Sequence, residues 1–136
     1  MNQFDCTITV LPVRGIDPAC EWYQRVLGLN TRYRHEGRHA HEETNYAVLE
    51  RDGVQVHLIL DEPSPYMKKW TKAGTGYLYL RVKDVVAFHQ QLQTKGIESV
   101  GGLKTASWGA KGFEISDIDG NHIRIEQAFR VTEASP

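Results

Sequence analysis

Trp108 to Gln127, WGAKGFEISDIDGNHIRIEQ, is the stretch whose reading decides the fold. Its centre, Asp119-Gly120-Asn121, has turn chemistry: Asp and Asn side chains bond to nearby backbone, and glycine accepts a positive φ. Phe113 to Ile118 can therefore fold back on His122 to Gln127 as a β-hairpin. In the returning strand Ile123 and Ile125 alternate with His122, Arg124 and Glu126. Because side chains alternate across a strand, one face is apolar and the other carries an imidazole, a guanidinium and a carboxylate.

The pattern extends outward from this hairpin. Thr7 to Val13 reads as a strand, with Pro12 near its end or on a sheet edge because proline cannot donate to a ladder. Asp17 as N-cap and Pro18 at the first helical position start a helix on which Ala19, Trp22, Tyr23, Val26 and Leu27 recur at helical spacing, closed by Gly28. Thr31 to His35 is a strand, Glu36 to Thr44 a polar connection, and Tyr46 to Arg51 with Val54 to Leu60 a second hairpin turning at Asp52-Gly53. Asp61 to Thr75 is a linker carrying Tyr66, Met67 and Trp70. The order then restarts: strand Tyr77 to Val82, a helix capped by Asp84 with Val85, Phe88, Leu92 and terminal Gly96, a short strand at Ile97 to Val100, a glycine-bearing loop from Gly101 to Ala110, and the opening hairpin. Val82 falls on Val13, and Ile123 on Val54, at one offset of 69 residues. Repeats of this size are two like units sharing a core.

Size and composition narrow the function. The chain has 136 residues, 40% hydrophobic and 24% charged, with a formal net charge of −1. These are globular values with no global field to draw in nucleic acid or an anionic membrane. MNQFDCTITVLPV lacks the basic flank and long apolar run of a signal peptide, and no window reaches the ~18 apolar residues of a membrane span, so a soluble cytoplasmic protein is expected. Cys6 and Cys20 have no metal-binding spacing and read as reduced packing residues.

Strand-helix-strand-strand-strand written twice, with Ala19, Trp22, Tyr23, Leu27, Gly28 and Leu29 in the first unit and Asp117, Asp119, Gly120, Asn121 and Ile123 in the second, resembles the vicinal oxygen chelate superfamily. That superfamily includes glyoxalase I, extradiol dioxygenases and the fosfomycin and bleomycin resistance proteins. The resemblance implies an α+β fold in which two βαβββ units pair into curved mixed sheets around a concave cavity, with the helices on the convex side. It covers roughly Ile8 to Gln127 and implies one domain, residues 1–136: unit one over about 5–61, a linker over about 62–75 and unit two over about 76–128. The alternation agrees. Leu11, Val13, Val54, Val56, Leu58, Leu78, Leu80, Val82, Ile123 and Ile125 would face the helices. The opposite phase holds Ile8, Val10, Gln55, His57, Ile59, Tyr77, Tyr79, Arg81, His122, Arg124 and Glu126.

Enzymes of the superfamily hold a divalent metal with His, Gln or Glu side chains from the first and last strands of each unit. Those places fall here at Ile8, Gln55, Tyr77 and Arg124. Isoleucine has no lone pair and arginine is a permanent cation, so this departure from the superfamily's pattern argues against its metal-dependent chemistry, and neither metal nor cofactor is expected. Among metal-free members the pattern is nearest to bleomycin resistance proteins, which also carry WG before the penultimate strand, here Trp108-Gly109, and sequester their drug in a dimer. Their cavities suit cations. Arg81 and Arg124 oppose that ligand unless Glu126 and the cluster Glu36, Glu42 and Glu43 offset them.

The expected site comprises Gln55, His57, Tyr77, Tyr79, Arg81, Trp108, His122, Arg124 and Glu126, taking a drug-like or aromatic ligand in a cytoplasmic homodimer without nucleic-acid or membrane partners. Trp108, Tyr66, Trp70, Tyr77 and Tyr79 read either as an aromatic wall or as core and seam residues. His57 and His122 read either as acid and base or as hydrogen-bonding members of a polar cavity. Arg124, Glu126 and Arg81 fit a structural ion-pair network or a pocket for an anion. His35, His39 and His41 fit a metal-binding tract or a solvated connection. The competing function is a divergent metal-dependent lyase or dioxygenase with relocated ligands such as His57, His122 and Glu126.

Overall fold

The computed structural model describes residues 2–35, 44–62 and 72–127. The acidic cluster Glu36, Glu42 and Glu43, the tract residues His39 and His41, and Tyr66, Met67 and Trp70 lie outside the described residues. The described chain runs β1 (Thr9–Val13), α1 (Ile16–Leu27), β2 (Asn30–His35), β3 (Tyr46–Arg51), β4 (Val54–Leu60), β5 (Tyr77–Val82), α2 (Val85–Thr94), β6 (Lys104–Thr105), β7 (Lys111–Ser116) and β8 (His122–Gln127). It forms two four-stranded sheets, ordered β1-β4-β3-β2 and β5-β8-β7-β6. In each, the first strand pairs parallel with the last and the hairpin partners are antiparallel, so both are mixed sheets. This is the expected α+β architecture of open curved sheets with a helix against one face.

Helix α1 forms because Ile16, Ala19, Cys20, Trp22, Tyr23, Val26 and Leu27 make one buried stripe on the first sheet. Its start differs from expectation. Gly15, in extended conformation, is the N-cap, and Asp17 lies in the first turn, where its carboxylate takes Arg34 Nη2 at 2.5 Å instead of capping. Gly28 ends the helix as expected, at φ 69°. Asp84 caps α2 by accepting from Ala87 N at 3.1 Å. The buried stripe of α2 includes His89, whose Nε2 is 2.8 Å from the Gly101 carbonyl and whose ring meets Phe113 edge-on.

Ile97 to Val100 is not a strand. Ser99 Oγ donates to the Ser116 carbonyl at 3.0 Å and Gly101 N to the Glu114 carbonyl at 2.9 Å, so this segment lies along β7 on a side-chain bond where a ladder would need backbone. The edge ladder forms further on, at Lys104–Thr105. Cys20 packs in the core, whereas Cys6 is exposed and packs nothing.

Most of the helix-facing set is buried, including Leu11, Val56, Leu58, Ile123 and Ile125, while Leu80 and Val82 are partly buried against the core and Val54 is a correction. Val54 is 42% exposed because it leaves the Asp52-Gly53 turn before the sheet passes under a helix. The opposite phase is exposed or half-buried except Glu126, which is 1% exposed.

The repeat also has a different register. Val13 pairs with Leu60 and Val82 with Gln127, so the first strands are 82 − 13 = 69 residues apart but the last strands 127 − 60 = 67. Ile123 therefore stands where Val56 does, although the turns differ, since Arg51 pairs with Val54 across two residues and Ser116 with His122 across five. A shift of two keeps every side chain on its face, which is why alternation alone could not reveal it.

The two sheets meet where β1 lies beside β5. Asn121, fully buried, donates through Nδ2 to the Pro12 carbonyl at 2.7 Å and accepts from Gly76 N at 2.7 Å. Asp117 Oδ1 accepts Asp119 N and Asn121 N, while Oδ2 accepts the Tyr23 hydroxyl at 2.6 Å. Burial and the neighbouring Asp117 carboxylate push the Tyr23 phenol pKa far up, so it donates. The turn thus does more than reverse a hairpin: it joins the sheets. Lys95 adds a second tie by donating to the Arg25 carbonyl at the end of α1, at 2.9 Å. No helix among the described residues is long and apolar enough to cross a membrane.

Candidate functional site

The expected residues fall into two groups, one on the helix-free face of each sheet. On the second sheet, pairing sets Tyr77 beside His122, Tyr79 beside Arg124 and Arg81 beside Glu126. The Tyr77 ring lies tilted against His122 with centroids 4.9 Å apart, and the Arg81 guanidinium carbon stands 5.8 Å from the Tyr79 ring centre. Glu126 accepts from Arg124 Nε at 2.6 Å and from the Tyr79 hydroxyl. It lies over Gly112, where an added Cβ would come within 2.5 Å of the Glu126 Cγ. Glycine at that position makes room for a carboxylate inside the sheet. Burial pushes the Glu126 pKa up, but the hydrogen bonds from Tyr79 and Arg124 more than reverse this, and the group sits below the ordinary carboxylate range. The hydrogen bond to Glu126 likewise raises the Arg124 pKa.

Glu114 completes this group and was not among the expected residues. Its Oε1 accepts from Arg124 Nη1 at 2.8 Å and its Oε2 lies 3.3 Å from His122 Nε2. The sequence carried no signal for it: the turn read at Asp119-Gly120-Asn121 centres the hairpin on Gly120, whereas the observed hairpin centres on Asp119 and sets Glu114 directly opposite Arg124, a cross-strand opposite-charge pair. The arrangement is an ion-pair network, and the Arg124 charge is balanced from two sides.

On the first sheet, His57 Nδ1 is 2.5 Å from the Tyr46 hydroxyl and its Nε2 is 3.3 Å from Gln55 Oε1. Burial raises the Tyr46 pKa, which keeps the phenol protonated and donating. A proton on Nε2 then satisfies both contacts, because the Gln55 oxygen can only accept. Gln55 is thereby oriented with its amide nitrogen away from His57. Tyr46 is the second residue missed, since its role depends on a diagonal cross-strand contact with no sequence motif. Trp108, 61% exposed, sits in the tight turn between β6 and β7 closed by Ala106 N to Ala110 O at 2.8 Å.

The observed register changes the metal comparison. Since 122 − 55 = 67, the counterpart of Gln55 is His122, and that of His57 is Arg124. With either residue in the fourth place, Ile8 offers no donor atom, Tyr77 is a phenol stacked on His122, and the His122 Nε2 already faces Glu114. The side chains at these positions do not fit a divalent ion. Among the described residues no group of three or more His, Cys, Asp or Glu is arranged to hold one.

A groove of about 600 Å³ lies elsewhere, between the end of α1, the β3-β4 turn and α2, lined by Leu27, Leu29, Arg51, Val82, Lys83 and Phe88 among others. Of the expected site residues only Arg81 reaches it.

Residues 6–125 match the Glyoxalase/Bleomycin resistance protein/Dioxygenase superfamily. Three similar solved structures illustrate its range. A bleomycin resistance determinant encoded on the transposon Tn5 is 21% identical, with a TM-score of 0.72, covering 93% of this chain and 100% of its own. TnmS3, an antibiotic binding protein from Streptomyces sp. CB03234, is 25% identical with a TM-score of 0.65, covering 94% and 100%. A lactoylglutathione lyase from Agrobacterium tumefaciens is 16% identical with a TM-score of 0.72, covering 94% and 96%. Curated protein sequences yield no significant match. Binders and a lyase share this fold, so the fold alone does not choose between them.

Proposed function

The chain belongs to the Glyoxalase/Bleomycin resistance protein/Dioxygenase superfamily, and from that premise we propose that it is a metal-free binding protein, a cytoplasmic homodimer that sequesters a drug-like or aromatic small molecule unchanged. The observation that carries this reading is the side-chain chemistry on the helix-free faces. Where relatives with metal chemistry need four donors, this chain has Ile8, Gln55, Tyr77 and either Arg124 or His122. What those faces offer instead is ring surface and oriented hydrogen bonds. The binding residues in this reading are Gln55, His57, Tyr77, Tyr79, Arg81, Trp108, His122, Arg124 and Glu126. Exposed Ile8, Val10, Tyr33, Tyr77 and Tyr79 on these faces support closure by a second copy of the chain.

Three measurements test it. Protein purified without chelators is assayed for divalent metal, its mass in solution is determined by sedimentation, and flat aromatic compounds and a bleomycin-type glycopeptide are titrated by tryptophan fluorescence and thermal shift. Binding by a metal-free dimer is expected. One metal ion per chain at these positions, or no response to any compound at high excess, would sink the reading.

A metal-free acid–base catalyst is the second reading, favoured by the 2.5 Å contact between Tyr46 and His57. Chemical change of a bound compound that stops in His57→Gln would put it first.

A further inference from the structure

The binding reading, on which this inference rests, leaves the charge of the ligand open. Arg124 is the side chain that would attract an anion, yet its guanidinium is engaged on both sides, by Glu126 at 2.6 Å and Glu114 at 2.8 Å. The two carboxylates differ in kind. Glu126 is 1% exposed and held by Tyr79 over Gly112, so it belongs to the floor of the face. The Glu114 side chain is 48% exposed, and its second oxygen faces His122 Nε2. It is the carboxylate an incoming molecule meets first.

Arg81 lies over the Tyr79 ring. With His122 neutral, the formal charges of Arg81, Arg124, Glu114 and Glu126 cancel. What this face offers a ligand is therefore ring surface, chiefly Tyr77 at 54% exposure. An anion reaching Arg124 would have to displace Glu114 and then lie beside it, like charge against like charge. A stacked neutral ring requires no rearrangement.

We propose that Glu114 is the charge-selecting residue of this face: by closing Arg124 and facing His122, it makes the face take flat, uncharged aromatic ligands in preference to aromatic carboxylates, sulfonates or phosphates. The test uses one ring system in two charge states, hydroxymethylanthraquinone and anthraquinone sulfonate, titrated at low salt against the full chain, Glu114→Gln, and the double variant Glu114→Gln/Arg124→Gln. The parent should prefer the uncharged compound. Glu114→Gln should bind the sulfonate about threefold to fivefold more tightly, the range of one part-exposed ion pair, with the uncharged compound little changed. That gain should vanish in the double variant and at high salt. Glu114→Thr, another uncharged strand former, repeats the test should Glu114→Gln fold poorly.

A parent that prefers the sulfonate overturns this inference and leaves the binding reading standing. So does an unchanged preference in the Glu114 single variant, or a gain that survives loss of Arg124. Failure of both compounds to bind any of the proteins overturns this inference, and the binding reading falls with it when the glycopeptide and the other aromatic compounds also fail to bind.

Discussion

Tyr23 donates its hydroxyl to Asp117 Oδ2 at 2.6 Å, linking the helix on the first sheet to the hairpin turn of the second across 94 residues of sequence. Both groups are buried, and Asn121 Nδ2 also donates to the same carboxylate oxygen, at 2.9 Å. Buried polar atoms therefore join the two units alongside the apolar core they share.

Tyr23→Phe should cost about 1–3 kcal/mol, since it leaves Asp117 buried with one donor fewer. Asn121→Ala, which removes bonds to Pro12, Gly76 and Asp117 together, should cost more. Urea unfolding followed by tryptophan fluorescence measures both. A Tyr23→Phe midpoint equal to the parent's would show that the contact contributes nothing.

Gly112→Ala should destabilise by about 1–3 kcal/mol through overpacking, because the new methyl would meet the Glu126 Cγ at 2.5 Å and the Ile125 carbonyl at 2.6 Å. Gly102→Ala, where an added Cβ meets nothing within 4 Å, is the control and should be near neutral. Equal effects of the two substitutions in thermal melts would show that Glu126 is not seated over Gly112.

Glu126 should make stability pH-dependent on the acid side. Its pKa is lower folded than unfolded, so the stabilisation is fully present above the ordinary value of 4.5 and is lost as pH falls through the lower folded value. Melting temperatures from neutral pH downward should fall along this limb, and Glu126→Gln should flatten it. An identical acid limb in the variant would remove Glu126 as the cause.

Trp108→Ala should change stability by less than about 0.5 kcal/mol, because the side chain is 61% exposed. If Trp108 contacts the ligand, the same variant should lose affinity about tenfold, the scale of one stacking aromatic. Calorimetric titration decides, with unchanged affinity placing Trp108 outside the site.

Dialysis against EDTA should leave both the melting temperature and aromatic-ligand binding unchanged. A fall in either, restored by one divalent ion, would show that a metal contributes despite the donor set at Ile8, Gln55 and Tyr77.

Much of the fold was legible in the residues. Gly28 and Asp84 announced helix boundaries through local backbone chemistry, and the alternation of Ile123 and Ile125 with Arg124 and Glu126 assigned both faces of β8. Boundaries decided by competition were not legible. Gly15 displaced Asp17 as a cap because Arg34, brought in by β2, engaged the aspartate. Ile97 to Val100 lost its ladder to a serine side chain. In the candidate site the residue types on each face were readable, but Glu114 and Tyr46 emerged only with their partners in view.

The sequence by itself determined the strand and helix order, the two-unit plan, the apolar stripes and the residues on each helix-free face, because these follow from periodicity and turn chemistry within short stretches. Tertiary structure alone decided the offset of 67 between the last strands, the burial of Glu126 over Gly112, and the closure of Arg124 by two carboxylates. These depend on which backbone atoms pair across sheets and on how close side chains far apart in sequence come to lie. A slip of two residues leaves the pattern of faces unchanged while altering every cross-strand neighbour, so local pattern cannot register it.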